Sequence, residues 1–278
     1  MSDFSGRTAL ITGGARGQGR AHAVALAERG ADVVLVDRCA DSAAVPYPLA
    51  TAADLAETEA LVTATGRRCL ALRADVGNPD EITRAVADAV EAFGGIDIAV
   101  ANAGVSVTAP LGELVGEKWD EVIATNLTGV FHTIAAVSGG MAERGYGRII
   151  AVSSMMGRSA APGMAAYSAS KWGVIGIAKS AALELAQTGV TVNVVAPGNI
   201  STPMVLNDAL YSLMRPDLEN PGLEDVEPVL ATLHAQPVAL LQPEEVTRAV
   251  LFFADEGSNH ITGTVLPIDA GAAARVSA

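Results

Sequence analysis

Short apolar runs recur along the chain, and each is followed by a longer stretch with the apolar spacing of an amphipathic helix. The runs are apolar at nearly every position, which is typical of strands buried on both faces. This alternation predicts an α/β fold in which helices cover both sides of a parallel sheet. The predicted strands cover residues 8–12, 32–37, 69–73, 96–101, 147–153, 191–196 and 264–268, and the predicted helices cover residues 19–29, 53–65, 79–93, 117–144, 165–187 and 243–255.

These elements occupy most of the 278 residues, so we expect one domain, residues 1–278, without a linker. Two segments interrupt the alternation. Residues 39–53 (CADSAAVPYPLATAA) form an insertion after the second strand, and residues 203–237 form a longer irregular segment that contains prolines. Such segments in compact domains usually cover a binding site. We therefore interpret residues 39–53 as a cofactor cover and residues 203–237 as a substrate lid, with surface loops as the alternative.

The composition limits the partners that the protein can have. The chain has a formal net charge of −13, and 50% of its residues are hydrophobic. An acidic protein is a poor partner for nucleic acids or anionic membranes, because both bind basic surfaces. The apolar runs are shorter than a membrane span, and the N-terminal segment lacks the pattern of a secretion signal. Neither cysteine lies in a C-x-x-C pair and the four histidines are scattered, so we expect a cytoplasmic protein without a metal site.

The turn after the first predicted strand has the sequence Thr12-Gly-Gly-Ala-Arg-Gly-Gln-Gly19. Glycine lets the backbone adopt positive φ and approach a ligand closely. The helix that follows would point its free N–H groups and its positive dipole end at phosphate groups. A glycine-rich turn is weak support alone, but its place in a βαβ unit favours a dinucleotide site. The candidate contacts here are Gly13, Arg16, Gly17, Gln18 and Gly19.

The second predicted strand ends at Asp37, about twenty residues beyond the glycine-rich turn. A carboxylate at this position accepts hydrogen bonds from the ribose hydroxyls of NAD and repels the 2′-phosphate of NADP. Arg16 and Arg38 oppose this interpretation, because either could pair with a 2′-phosphate. The repulsion between the Asp37 carboxylate and a 2′-phosphate outweighs the attraction of a mobile arginine for that phosphate. The sequence therefore predicts NAD as the cofactor.

Two further strands end in residues suited to a cofactor site. Asp75 and Val76 follow the third strand, and Asn102, Ala103 and Gly104 follow the fourth. Open α/β sheets bind ligands at the carboxyl ends of their strands. We expect Asp75 and Val76 to lie at the adenine edge, and the small turn at Asn102, Ala103 and Gly104 to let the cofactor pass. Either feature alone would suit an ordinary turn.

The sequence Tyr167-Ser-Ala-Ser-Lys171 lies in a predicted helix, and Ser154 precedes it at the end of the fifth strand. Residues four apart share one helix face, so the Tyr167 phenol and the Lys171 ammonium are neighbours. A positive charge lowers the pKa of a phenol, which then exchanges a proton with an alcohol or a carbonyl. Ser154 could donate a hydrogen bond to the substrate oxygen. Surface pairing of Tyr167 and Lys171 is the alternative, which the glycine-rich turn disfavours.

With these motifs in this order, the chain resembles the short-chain dehydrogenase/reductase family over nearly its whole length. The resemblance implies a doubly wound, seven-stranded Rossmann fold in a homotetramer. It also implies that Asn126 completes a catalytic tetrad with Ser154, Tyr167 and Lys171, and holds a water in a proton relay to the lysine. The nicotinamide-side loop that the resemblance implies contains Pro197, Gly198, Ile200, Thr202 and Met204.

A narrower resemblance rests on the insertion and on the phrase Arg215-Pro-Asp-Leu in the lid. Both are similar to the mycofactocin-associated branch of the family, the carveol dehydrogenase-like proteins. The resemblance implies that the insertion covers NAD so that it does not exchange freely. It further implies that an external redox carrier, mycofactocin, reoxidises or reduces the bound nucleotide in place.

The sequence therefore predicts an NAD-dependent dehydrogenase that interconverts a secondary alcohol and a ketone by hydride transfer. The substrate is expected to be small and apolar, because the lid contains Met204, Val205, Leu206, Leu210, Tyr211, Leu213 and Met214. Packing within the protein is the alternative role of that apolar stripe. Two alternative functions are an NADPH-dependent oxoacyl reductase, which Asp37 disfavours, and a catalytically silent NAD-binding regulator, which the complete tetrad disfavours.

Overall fold

The computed structural model describes residues 3–275 and contains a parallel sheet of seven strands. The order across the sheet is β3-β2-β1-β4-β5-β6-β7, and each neighbouring pair is parallel. Each strand begins and ends within two residues of its predicted bounds, and the α/β fold class is confirmed. The strands are β1 (Thr8–Thr12), β2 (Asp32–Asp37), β3 (Cys69–Arg73), β4 (Ile98–Ala101), β5 (Gly147–Val152), β6 (Val190–Pro197) and β7 (Val265–Ile268).

Nine α-helices lie in residues 3–275, three more than predicted. One addition arises because the long helix over residues 117–144 is divided by a π-turn, and the other two lie in the segment 203–237. The helices are α1 (Gly17–Ala27), α2 (Ala52–Ala64), α3 (Pro79–Phe93), α4 (Glu117–Ile123), α5 (Gly129–Arg144), α6 (Ala165–Glu184), α7 (Asp208–Met214), α8 (Leu223–Leu233) and α9 (Pro243–Ala254).

The two faces of the sheet form two separate hydrophobic cores. Ala9 and Ile11 of β1 pack in one core with residues of α1, α2 and α9. Leu10, between them, points to the other face and packs with residues of α3, α5 and α6. Both faces are covered, so the central strands must be apolar at successive positions, which is the pattern that the sequence shows.

The helix over residues 117–144 is continuous, with a π-turn (Ala124–Thr128) between α4 and α5. Its 28 residues are long and apolar enough to cross a membrane by length and composition, which differs from our expectation that the apolar stretches are too short. In the structure, 44% of its most apolar 18-residue stretch is buried. Val130, Ile134 and Met141 of α5 pack in a core against the sheet, which accounts for the apolar character of this helix.

The segment 203–237 was predicted to be irregular, but it contains the helices α7 and α8. The Asn207 side chain accepts a hydrogen bond from the Leu210 N–H (3.0 Å) and caps α7. Pro216 and Pro221 lie between the two helices, where a missing N–H costs nothing. Pro216 and Pro221 therefore separate the two short helices, and Pro228 lies inside α8, so the prolines of this segment do not prevent helix formation.

The strand order places a crevice at one edge of the sheet. From β1 the chain proceeds to β2 and β3 on one side and later returns to β4 and the remaining strands on the other. Ligands bind at the carboxyl ends of strands where such a reversal occurs. The glycine-rich turn and the ends of β2 and β4 all meet at this point.

His22 of α1 makes the stability of this fold depend on pH. Its ring is fully buried, and Nδ1 lies 2.7 Å from the Thr247 hydroxyl of α9. That hydroxyl donates to the Pro243 carbonyl (3.0 Å), so Nδ1 carries the proton, and Nε2 has no hydrogen-bond partner among residues 3–275. A second proton would be buried without an acceptor, and burial lowers the pKa of His22 to about 3.

We predict that stability falls as the pH drops below 6.5, the ordinary pKa of histidine, because the unfolded chain then binds a proton that the folded chain refuses. The loss attributable to His22 should approach about 1.4 kcal/mol per pH unit between these two pKa values. Denaturant unfolding of the protein and of His22→Leu should show a shallower pH dependence in the variant. The exposed His260→Leu is the control, and equal slopes for His22→Leu and the parent protein would contradict the prediction.

Candidate active site

The turn between β1 and α1 brings two backbone segments into direct contact. Gly13 and Gly17 have φ angles of +65° and +55°, which residues with a Cβ rarely adopt. A Cβ on Gly19 would lie 2.0 Å from the Gly13 carbonyl oxygen, so only glycine fits there. The first N–H groups of α1 lack partners within the helix and open onto the crevice, an arrangement suited to phosphate groups.

Polar side chains from β1 and from the end of β4 hold this turn in place. The Thr12 hydroxyl accepts hydrogen bonds from the backbone N–H groups of Asn102 (3.0 Å) and Ala103 (3.2 Å). The Asn102 amide donates to the carbonyls of Thr12 (2.9 Å) and Gly13 (3.3 Å). Asn102 was predicted to contact a cofactor, and its side chain is engaged in positioning the turn. Sequence analysis did not identify Thr12, which looks like any strand threonine.

The Asp37 carboxylate stands at the end of β2 and lines the crevice. Its Oδ2 accepts a hydrogen bond from the Ala15 N–H (3.2 Å), and its Oδ1 accepts one from the Cys39 N–H (3.0 Å). Each carboxylate oxygen has a second lone pair available for hydroxyl donors. Cys39 has a φ of +51°, a strained angle for this residue, where the chain turns sharply into the insertion.

Arg38 is held by two acidic side chains. Its Nη1 lies 2.9 Å from Oε1 of Glu121 in α4 and 3.3 Å from Oδ2 of Asp75. Burial acts to lower the pKa of Arg38, but these carboxylates outweigh burial and raise it above its ordinary value. The other oxygen of Glu121, Oε2, accepts a hydrogen bond from the Ser42 hydroxyl (2.9 Å) of the insertion. Glu121 was not predicted, because 83 residues separate it from Arg38 in sequence.

The insertion lies against the crevice and is fastened to three other parts of the chain. Arg16 of the glycine-rich turn donates to the Pro48 carbonyl, and the Ser106 N–H donates to the Tyr47 hydroxyl (2.9 Å). The third attachment is the hydrogen bond from Ser42 to Glu121 already described. Tyr47 also packs in an apolar cluster with Val105 and Met204. Tyr47 was not predicted to be a site residue, because only the fold brings it to the crevice.

The crevice encloses about 910 Å³ of space, a volume that includes the solvent at its open mouth. Four residues of the insertion line it: Ala40, Tyr47, Leu49 and Ala50. Most of the predicted cofactor contacts also line it, namely Gly13, Arg16, Gly17, Gln18, Gly19, Asp37, Arg38, Asp75, Val76, Asn102, Ala103, Gly104, Thr202 and Met204.

Ser154, Tyr167 and Lys171 lie together, and all three are buried. None of them lines the crevice itself, although Tyr167 and Lys171 were predicted to contact the cofactor. Lys171 Nζ is 5.7 Å from the centre of the Tyr167 ring, and a side-chain hydrogen bond joins Tyr167 to Ser154. Tyr167 packs beside Met204, and a Cβ on Gly104 would lie 3.5 Å from Lys171 Nζ. Met204 and Gly104 both line the crevice, so the three side chains adjoin it.

Burial shifts both titratable groups of this trio. Burial raises the pKa of Tyr167, and the hydrogen bond from Ser154 offsets only part of that rise. Burial also lowers the pKa of Lys171 to about 8. The expected lowering of the tyrosine pKa is therefore not found in the protein alone. Lys171 Nζ donates to the Val152 carbonyl (2.8 Å), which fixes the ammonium beside the ring.

Asn126 lies in the π-turn and is completely buried. Its Oδ1 accepts a hydrogen bond from the Val105 N–H (2.8 Å), and its Nδ2 donates to the Val105 carbonyl (2.9 Å) and the Ser170 hydroxyl (3.3 Å). Both polar atoms of the side-chain amide are therefore bonded to the backbone of Val105, which follows β4. A π-turn often marks a functional position in a helix, but the sequence pattern gives no sign of it.

The predicted nicotinamide-side loop is only partly in the crevice. Thr202 and Met204 line it, whereas Ile200 packs its side chain into the hydrophobic core. A Cβ on Gly198 would lie 2.7 Å from His234 Nε2, so the loop after Pro197 is packed against the end of α8. His234 Nε2 accepts a hydrogen bond from the Asn199 N–H (3.2 Å). Any ligand contact of Ile200 would therefore come from its backbone.

Three methionines that the sequence analysis overlooked surround Tyr167. Met155 and Met156 follow Ser154, and Met164 precedes α6; all three pack in one cluster with Tyr167 and Met204. Methionine side chains are flexible and polarisable, and they adapt to apolar ligands of varied shape. The repeated Met-Met after Ser154 was the available signal.

The fold and the crevice together define a class: a doubly wound α/β protein with a dinucleotide-type turn and a buried Ser-Tyr-Lys trio at the switch point. The sequence model of the short chain dehydrogenase family matches residues 7–209. The chain therefore belongs to the short-chain dehydrogenase family.

Three relatives illustrate which members of this family the chain resembles. It is 42% identical over 273 residues to (−)-trans-carveol dehydrogenase of Rhodococcus erythropolis, covering 98% of this chain and 99% of the relative. The crystal structure of carveol dehydrogenase from Mycobacterium avium in complex with NAD superposes with a TM-score of 0.95 and 42% identity, covering 98% and 99% of the two chains. A 3-oxoacyl-[acyl-carrier-protein] reductase of Synechocystis is 39% identical over 273 residues, covering 98% of each.

Proposed function

We propose that this protein is an NAD-dependent dehydrogenase that interconverts a small secondary alcohol and its ketone, in the manner of a carveol dehydrogenase. The observation that carries the proposal is the buried trio of Ser154, Tyr167 and Lys171 at the end of a crevice shaped for a dinucleotide. The similarity to carveol dehydrogenases over nearly the full length supports the same substrate class. Two free cysteines suit the reducing cytoplasm, where we place the protein.

The residues of the crevice fit NAD. The space between Gly19 and the Gly13 carbonyl excludes even a methyl group, as expected for a turn that packs closely on a pyrophosphate. Asp37 offers carboxylate lone pairs for two ribose hydroxyls. Arg16 and Arg38 are both engaged by protein acceptors, so neither is free to attract a 2′-phosphate. When bound, NAD supplies the acceptor or donor of hydride.

The trio moves the proton. In the oxidising direction Tyr167 accepts the hydroxyl proton of the alcohol, and in the reducing direction it returns a proton to the carbonyl oxygen. Ser154 donates a hydrogen bond to that oxygen and keeps it beside the phenol. Lys171 places its positive charge near the ring and favours the phenolate. Asn126 would hold a relay water through its backbone, because its side chain is bound to Val105.

The surroundings of Tyr167 favour an apolar substrate. Met155, Met156, Met164 and Met204 form the wall beside the phenol, with Ser154 as the polar group among them. Of the lid residues predicted to line the substrate site, Met204 and Leu210 border a small cavity next to Tyr47, and Leu213 packs near Gly163. We assign the lid role to residues 203–237 on this basis.

We also propose that the insertion 39–53 covers the bound nucleotide and slows its release. Its contacts through Ser42, Tyr47 and Pro48 would have to break before a nucleotide could leave. A cover that opens slowly lowers the rate of release. Turnover would then require an external carrier such as mycofactocin to exchange electrons with the nucleotide in place.

The two alternative functions make different demands on the site. A 3-oxoacyl-[acyl-carrier-protein] reductase is among the relatives. The first alternative function would use NADPH, which Asp37 and the two engaged arginines disfavour. A silent NAD-binding regulator would not need the trio. Turnover of any secondary alcohol in the first experiment below would exclude the regulator.

We predict that Tyr167→Phe keeps the fold and the bound nucleotide but lowers turnover by about 100-fold or more, since the proton acceptor is lost. Turnover is measured with a panel of secondary alcohols and an artificial electron acceptor. Tyr146→Phe is the matched control, because Tyr146 packs against Arg7 and Arg148 at the opposite end of β5. Near-normal turnover of Tyr167→Phe would contradict the assignment of Tyr167 as the proton acceptor.

For the cover, we predict that purified protein keeps NAD through desalting and that added alcohol reduces this NAD once, with sustained turnover only when an acceptor is supplied. Absorbance at the NADH band and mass spectrometry of the released nucleotide measure both effects. Removing residues 43–50 should restore exchange with free NAD⁺, and Tyr47→Phe should accelerate it by a smaller factor, because one attachment is weakened. Rapid turnover with added NAD⁺ alone would show that the insertion does not retain the nucleotide.

For assembly, we propose a homotetramer formed through α4, α5 and α6. Phe131 and Trp172 on these helices are 52% and 46% exposed, which marks an apolar surface that a second copy would cover. Light scattering should give four times the 28.2 kDa chain mass, and Phe131→Glu should reduce it. Leu61→Glu on α2, a residue that is 42% exposed, is the control. A monomeric mass at micromolar concentration would refute the proposal.

A further inference from the structure

Three carboxylates and one guanidinium gather where β2 ends. Asp37, Arg38 and Asp75 line the crevice, and Glu121 stands behind them on α4. Arg38 touches Asp75 and Glu121, so its single positive charge is shared between two negative ones. With Asp37 included, this part of the crevice has an excess of negative charge.

Of the two ion pairs that Arg38 forms, the pair with Glu121 is the stronger. Its distance is 2.9 Å, against 3.3 Å to Asp75, and the Glu121 side chain is only 17% exposed compared with 33% for Asp75. A less exposed ion pair is less screened by water and salt. Glu121 therefore determines where the guanidinium rests, and that place is against α4.

We propose that Glu121 is a positioning residue that sets nucleotide specificity: it holds Arg38 against α4 and so withholds the guanidinium from a 2′-phosphate. An arginine near the end of β2 is the group that accepts the 2′-phosphate in sites that use NADP. This chain has an arginine at that position, but Glu121 keeps it away from a 2′-phosphate. The inference rests on the proposed function, because it assumes a nicotinamide dinucleotide in the crevice.

Glu121 has a second contact that ties specificity to the cover. While Oε1 accepts from Arg38, Oε2 accepts from the Ser42 hydroxyl (2.9 Å) of the insertion. Both oxygens of one carboxylate are thus in use, one for the charge of Arg38 and one for the insertion. A neutral side chain of the same shape keeps an acceptor for one partner but loses the charge that holds the arginine.

The test is a cycle of two substitutions, Asp37→Ala and Glu121→Gln, read from the nucleotide that each protein binds. Each variant is incubated with equimolar NAD⁺ and NADP⁺ until the bound ratio is constant, then desalted, and the nucleotides are quantified by mass spectrometry. Glu121→Gln alone should change the NADP-to-NAD ratio by less than about threefold, because Asp37 still repels the phosphate. The double variant should exceed the product of the two single effects by about tenfold, because Arg38 becomes free where repulsion is gone.

Two controls separate release of Arg38 from a general loss of negative charge. Glu117→Gln, an exposed residue of the same helix, removes an equal charge in the Asp37→Ala background and should give no excess. Adding Arg38→Gln to the double variant should remove the excess, because the guanidinium that carries it is gone. If thermal melting shows the double variant unfolded, Asp37→Asn replaces Asp37→Ala in the same cycle.

A double-variant ratio equal to the product of the single effects would overturn the inference, as would an excess that persists after Arg38→Gln. The readout is bound nucleotide and not turnover, so it is independent of Tyr167. Failure of this cycle with normal turnover leaves the proposed function in place. A parent protein that neither binds a dinucleotide nor turns over with added NAD⁺ would instead count against the proposed function itself.

Discussion

The contact between Gly19 and the Gly13 carbonyl is the constraint on which the rest of the site depends. With no room for a Cβ, α1 begins directly against the end of β1, and the backbone at Ala15 comes within hydrogen-bond reach of Asp37. The same turn presents the carbonyls that Asn102 binds from the end of β4. Three neighbouring strand ends are therefore fixed relative to one another by a single close approach. Widening that approach would displace all of them together.

This arrangement explains why arginines at the crevice serve the protein more than a ligand. Arg16 is bound to the Pro48 carbonyl and Arg38 to Glu121 and Asp75. The negative charge of a dinucleotide would then be met by the N–H groups and the dipole of α1, which are fixed in place by the fold. Fixed donors need no reorganisation on binding, whereas a long side chain must be ordered each time. The arginines instead hold the insertion and the carboxylates around it.

The sequence was sufficient for whatever depends on local patterns. Apolar runs predicted all strands, and the order of the glycine-rich turn, Asp37, Asn102 and Tyr167 predicted which strand ends meet. Contacts between distant residues were not predictable: the Glu121 carboxylate lies 83 residues from Arg38, and Tyr47 lies 59 residues from Ser106. The π-turn at Asn126 left no sign, because helical spacing continues on both sides of it. The helices of residues 203–237 were missed because prolines were taken to exclude helices, whereas Pro216 and Pro221 only separate them and Pro228 lies inside α8.

Burial around the trio links catalysis to occupancy of the crevice. Burial makes ionisation of Tyr167 harder, and it also makes the Lys171 ammonium less stable. The protein alone therefore keeps the phenol protonated, although the lysine is 5.7 Å from the ring centre. On the proposed function, the additional positive charge that favours the phenolate is present only when the oxidised nucleotide is bound. An insertion that retains the nucleotide would then keep this charge beside Tyr167 whenever the bound nucleotide is oxidised, and nucleotide retention and acid–base chemistry become two consequences of one closed crevice.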